Sequence, residues 1–216
     1  MGKRWFGQIG ILAGLGVVYY VVLRPKLLTA GTETAEVLRN LPGDDLIVSP
    51  HFQATRAITI AAPVAVVWPW IAQLGRNHTG FYGIDSLSNH GIPSAAYLHQ
   101  DIAQPQAGME LDEGYKIMAL EPYKALIYGN FDRPTLTGDP MEITKLFWLE
   151  AVTPNTTRLI IRTRGYTYGM LSGLYNVIYE AYDFLETMQQ LDNIRQRAET
   201  MAQLRGAETR LKIGPN

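Results

Sequence analysis

The sequence contains no cysteine. That excludes disulfides, zinc–thiolate sites and cysteine nucleophiles, and it leaves the compartment open, since a disulfide-free domain survives on either side of a membrane. An excess of charge is missing too. There are 19 basic against 20 acidic residues, a net charge of −1. Residues 1–26 hold Lys3, Arg4, Arg24 and Lys26 and no acid, leaving 15 basic against 20 acidic residues downstream, a net −5. A domain that acidic lacks the electrostatic footprint of a nucleic-acid binder. Beyond the basic flanks of the N-terminus it has no broad attraction to anionic lipid. Catalytic signatures are absent as well. Gly14-Leu-Gly16 lacks the third glycine of a dinucleotide fingerprint, and no P-loop, G-x-S-x-G or H-E-x-x-H occurs. His78, His90 and His99 are too scattered for a helical histidine pair, so neither metal nor cofactor is expected.

What is present begins with Trp5–Leu23, 19 residues without a charge. At ~1.5 Å per residue such a helix spans about 28 Å, one hydrocarbon core. Trp5, Tyr19 and Tyr20 lie toward its ends, where aromatic rings suit the interface. The competing reading is a cleaved signal peptide, but the run exceeds the usual h-region and no A-x-A site follows. The expectation is a single-pass membrane anchor over 1–26. Basic residues on both flanks leave its orientation open. Gly10 and Gly14 form a G-x-x-x-G through which two anchors would pair as a homodimer.

Residues 27–54 read as a connector, broken by the turn-rich Leu41-Pro42-Gly43-Asp44-Asp45. A domain is expected over 55–205 and a tail over 206–216. Arg56–Ala61 alternates as a strand should, and Pro63 opens a helix with Val64, Val67, Trp68, Ile71 and Leu74 on one face. Strands are predicted at 115–121, 124–131, 144–152 and 157–165, with Thr153-Pro-Asn-Thr156 as a hairpin turn. Leu171–Leu204 is a long helical pattern whose buried stripe is expected at Leu174, Ile178, Ala181, Leu185, Met188, Ile194, Ala198 and Met201. Segregated helices and an antiparallel sheet mean α+β. A curved sheet wrapped on the long helix leaves a space suited to an apolar ligand.

Several segments carry a family resemblance. Arg56-Ala-Ile-Thr-Ile-Ala-Ala-Pro63, Val67-Trp68-Pro69-Trp70-Ile71-Ala-Gln73-Leu-Gly75 and Gly80-Phe81-Tyr82-Gly83-Ile84-Asp85-Ser86-Leu87-Ser88-Asn89 resemble the START-like, SRPBCC (helix-grip) superfamily. So do the hairpin Phe147-Trp148-Leu149…Arg162-Thr-Arg164 and the late helix with Ile194-Arg195-Gln-Arg197. The resemblance covers about 55–200 and implies a helix-grip fold. Ser86-Leu87-Ser88-Asn89 lacks the glutamate common in the family segment, so chemistry tied to that carboxylate does not transfer.

Candidate ligand-binding residues are Trp68, Trp70, Tyr82, Asp85, Asn89 and Trp148. Two residues apart on one helix, the first two tryptophans are not expected to point inward together; packing competes with cavity lining for both. Asp85 and Asn89, at i,i+4, either orient a ligand head group, with Asp85 as general base, or cap and pin a loop. His90 is either an acid–base group or a solvated loop histidine. Arg158, Arg162 and Arg164 share one strand face, either as a solvated or ion-paired surface or as an anion site. Three functions stand: a membrane-tethered binding domain for a lipid or other apolar molecule, a cyclase- or isomerase-type enzyme using Asp85, Tyr82 or His90, and a tethered protein-interaction domain.

Overall fold

The computed structural model describes residues 16–76 and 78–213. Most of the expected anchor, including Gly10 and Gly14, lies outside them. Among the described residues no helix is long and apolar enough to cross a membrane.

Six strands form one antiparallel sheet: β1 (Phe52–Ile60), β2 (Glu110–Asp112), β3 (Tyr115–Glu121), β4 (Ala125–Pro134), β5 (Pro140–Thr153) and β6 (Thr156–Thr167). Their order is β1-β6-β5-β4-β3-β2, so the first strand closes against the last. The helices are α1 (Arg24–Leu28), α2 (Thr34–Leu38), α3 (Val64–Ala72), α4 (Asp85–Ser88) and α5 (Ser172–Ile213), with a π-helical turn at Tyr19–Leu23 before α1. β3 has the bounds its sequence predicts, β1 starts three residues before the expected domain boundary, and α5 runs on into the expected tail.

Alternation along the strands gives the sheet two distinct faces. Ile60, Ile117, Leu126, Phe147, Leu159 and Ile161 point to the face covered by α3 and α5, where they meet Trp70, Ile71, Leu191, Ile194 and Ala198 in the main core. Ala57, Ile127, Leu146 and Ile160 point the other way, against Leu41 and Leu46 of the connector. The connector is therefore a packed layer. Arg158 pairs with Glu36 at 2.7 Å, and Arg162 with Asp44 at 2.7 Å. Arg162 also donates to the carbonyls of Glu36, Val37 and Arg39, and Arg164 to that of Ile47. These arginines share one face as expected, but Arg162 and Arg164 are buried. The ion-paired reading holds and the solvated one is corrected: the connector covers this face as a strap held by guanidinium donors, because its carbonyls and carboxylates need partners once covered. Gly31, at φ +75, lets that strap approach: a Cβ there would lie 2.2 Å from the Ala57 carbonyl oxygen.

The stripe expected along α5 is corrected in its first half. Leu174, Ile178 and Leu185 are 61, 51 and 53% exposed. The inward residues there are Asn176, Tyr179, Glu180, Asp183, Glu186, Thr187 and Gln190. The opposing sheet presents Arg56, Lys145 and Thr163, and buried charge demands polar partners more strongly than a leucine demands burial. Farther along, Leu191, Ile194 and Ala198 return to the apolar rule.

Candidate functional site

Between the polar half of α5 and the sheet lies a cavity of about 120 Å³. Lys145 and Ile143 of β5, Tyr128 of β4, Thr163 of β6 and Tyr115 form its sheet wall. Tyr179, Tyr182, Asp183, Glu186 and Gln190 of α5 face them, and Arg76, Phe81, Leu87, Ser88, Asp112 and Arg133 complete the lining. The expected apolar, lipid-sized space is thus corrected to a small one lined by charges and hydroxyls, since the inward residues of α5 here are polar.

Asp183 organises the back wall. Arg56, 0% exposed, donates to its carboxylate at 2.6 Å. Thr163 and Thr187 donate hydroxyls at 3.1 and 3.2 Å, and the Lys145 ammonium stands 3.4 Å away. Burial alone would push this carboxyl up, but Lys145 and Arg56 outweigh it and hold Asp183 below the usual carboxylate range. Lys145 also donates to Thr187 at 3.0 Å and to Gln190 at 3.5 Å, which fixes its ammonium at the cavity wall.

Glu186 behaves oppositely. Burial raises its pKa, against the Ile84 N–H that it accepts at 3.1 and 3.2 Å. Gly83 makes room for it: a Cβ there would sit 1.7 Å from the Glu186 carboxylate. Burial also pushes the hydroxyls of Tyr115, Tyr128, Tyr179 and Tyr182 above the usual phenol range, so all four are neutral at pH 7. Their rings abut: Tyr115 and Tyr128 meet edge-on at 5.9 Å, and Tyr179 and Tyr182 lie tilted at 5.6 Å. The site therefore combines a fixed ammonium, an ionised and a more weakly acidic carboxyl, and an aromatic wall. It can hold a planar polar molecule and exchange a proton with it.

None of the residues singled out from sequence lines this cavity. Asp85 accepts from the Ser94 N–H at 3.0 Å and its hydroxyl at 2.5 Å, the loop-pinning arrangement. Asn89 donates to the Ile92 carbonyl at 2.5 Å. Tyr82 is buried, with its hydroxyl bonded to Gln73 and Thr79. His90 is exposed, and its Nε2 accepts from Arg76 at 2.8 Å, since a guanidinium can only donate. Trp68 and Trp70 are both buried. Trp68 packs on Tyr123 at 5.9 Å and Trp70 on Tyr82 at 6.0 Å, so α3 is covered on two sides rather than one. Trp148 lies on the opposite sheet face, where its Nε1 donates to Glu150 at 2.9 Å. Sequence reasoning missed Lys145, Asp183, Glu186 and the four tyrosines. The available signal was the i, i+3, i+4, i+7 series Tyr179, Tyr182, Asp183, Glu186 on one helix.

No protein-family model matches the sequence, and comparison with curated proteins finds no match. Solved structures do align. An aromatase/cyclase from Streptomyces sp. R1128 is 14% identical over 68% of this chain and 93% of its own, with a TM-score of 0.44. A hypothetical protein from Helicobacter pylori is 12% identical over 74% and 95%, with a TM-score of 0.49. A protein from Mesorhizobium loti is 16% identical over 69% and 98%, with a TM-score of 0.44. The six-stranded antiparallel sheet and the long C-terminal helix packed on it fit a helix-grip fold.

Proposed function

We propose that this chain binds a small, planar, polar molecule in the cavity between sheet and α5, and that its N-terminal segment holds it at a membrane. One observation carries the binding reading: the ammonium of Lys145 and the carboxyls of Asp183 and Glu186 converge on one space walled by four neutral tyrosines. Charged groups gathered at the wall of a cavity, rather than sealed in the packed core, mark a candidate binding site. At about 120 Å³ the cavity suits one ring, not an acyl chain.

The membrane reading rests on the uncharged Trp5–Leu23 run. Val17, Val18, Val21, Val22 and Leu23 are exposed, which suits lipid better than water. Arg24 fixes this segment to the start of α5 by two 2.7 Å bonds to Glu180. The exposed Leu171, just before α5, and Leu174, in its first turn, lie at that end of the helix. Resistance to alkaline extraction from membranes would support the anchor, and release into the supernatant would remove it.

Binding is tested by native mass spectrometry of the purified full chain. A stoichiometric small-molecule adduct, lost in Leu87→Trp at the cavity mouth, is expected. A bare mass in both proteins, persisting after incubation with cell extract, would refute the reading. A second reading, proton-transfer catalysis, is favoured by Glu186 alone, whose burial makes it a weaker acid facing the cavity.

A further inference from the structure

The cations lining the cavity are not equally partnered. Arg76 is paired with Asp112 at 2.9 Å, and Lys145 with Asp183. Arg133 differs. Among the described residues no carboxylate pairs with it, and its Nη1 is buried without any hydrogen-bond partner. The Tyr179 ring lies against it, with its centroid 5.2 Å from the guanidinium carbon. A ring face attracts the cation but accepts none of its in-plane N–H groups conventionally. A guanidinium donor removed from water and left unmade is a substantial penalty. The tyrosines around it are neutral at pH 7, so none serves as counter-ion.

The placement is informative. Arg133 is opposite Met141 in the β4–β5 ladder, and Lys145 lies four residues farther along β5. At ~3.3 Å per residue the two cations mark points about 13 Å apart at the backbone, at the two ends of the tyrosine wall. Guanidinium geometry matches a carboxylate through two parallel N–H···O bonds, which a compact ammonium cannot offer.

We infer that Arg133 is the recognition group for the carboxylate of a small aromatic acid, whose ring lies against Tyr115, Tyr128, Tyr179 and Tyr182. The inference rests on the cavity-binding reading above and names its ligand class. A substituent on the far side of the ring faces Lys145 and Glu186, so a para-hydroxyl group is accommodated.

The test is calorimetric titration of the full chain with benzoate and with benzamide, its neutral isostere. Wild type is expected to bind benzoate about ten-fold or more tighter than benzamide, the size of one charge-assisted hydrogen bond. Arg133→Met is expected to remove that preference while leaving benzamide within about two-fold, which also shows that the variant is folded. Arg133→Lys keeps the charge without the fork and is expected to restore only part of the preference. Equal binding of benzoate and benzamide, or an unchanged preference in Arg133→Met, overturns the carboxylate assignment and leaves the cavity reading standing. Binding of neither probe by wild type removes both.

Discussion

Asp183→Asn removes one charge from the centre of the domain and almost no volume. In wild type that charge balances Arg56, which is fully buried and whose Nη2 already lacks a partner. The amide keeps an acceptor for Thr163 and Thr187, but Arg56 and Lys145 become uncompensated. Breaking a buried pair from one side destabilises by about 3–5 kcal/mol. Against a typical total of ~5–15 kcal/mol this is a large fraction. At ~2–4 °C per kcal/mol for a chain of this size, the midpoint should fall by roughly 6–20 °C. Arg56→Met combined with Asp183→Asn removes both charges and should recover more than half of the loss. The effect has a defined pH signature. Asp183 titrates below its unfolded value, so its stabilisation is complete above the unfolded pKa of ~3.9 and is lost as pH falls through the lower folded value. The gap between wild type and Asp183→Asn should therefore be constant near neutrality and shrink below about pH 4. Urea unfolding followed by tyrosine and tryptophan fluorescence, from pH 3 to pH 8, measures both. A loss under ~1 kcal/mol at pH 7, or a gap that does not shrink on acidification, would refute the assignment of Asp183 as the counter-charge of Arg56.

Glu186 has the opposite sign. Its folded pKa is raised, so stability falls as pH rises from its unfolded value of ~4.3 through the folded one, and Glu186→Gln should flatten that slope in the same titration. Gly83→Ala drives a methyl into the Glu186 carboxylate and should displace it from the Ile84 amide, read as a shifted Ile84 N–H resonance with little change elsewhere. Arg162→Ala strips the connector of four backbone and side-chain acceptor contacts and should cost about 2–4 kcal/mol, with protease cleavage appearing first between residues 32 and 48. Leu174→Ser with Ile178→Ser lies on the exposed face of α5 and should change stability by no more than ~0.5 kcal/mol, whereas Leu191→Ala and Ile194→Ala on its buried face should each cost about 2–5 kcal/mol.

Those last two pairs also show where sequence reasoning succeeds and fails. Ile194 and Ala198 oppose an apolar sheet, so the ordinary rule of periodicity finds them, while the equally buried Leu191 falls outside the expected stripe. Leu174, Ile178 and Leu185 have the same periodicity, yet they face outward because Asp183, Glu186 and Thr187 are drawn to Arg56 and Lys145. Those partners are distant in sequence: 127 positions separate Arg56 from Asp183. Local pattern carries no trace of such pairs. The longer strands were legible because they are β-rich runs bounded by turn residues such as Thr153-Pro-Asn-Thr156, whereas the three-residue β2 was not. The connector was not, because its burial depends on arginines of β6 more than 100 positions away. Trp68 and Trp70 show a related limit. A helix wheel assumes one covered side, whereas α3 is enclosed on two. A space between the sheet and the long helix was expected, but its polar lining was missed for the same reason as the α5 face: polar residues on a helix read as solvent-exposed.

The binding claim is tested most directly by nuclear magnetic resonance of the full chain in detergent, with tyrosine rings and isoleucine methyls labelled, titrated with 4-hydroxybenzoate. Saturable shifts are expected at Tyr115, Tyr128, Tyr179, Tyr182 and Ile143, with Ile178 on the outer face of α5 unmoved. Shifts at Ile178 alone, or none at any of these positions at millimolar ligand, would contradict a binding site between the sheet and α5.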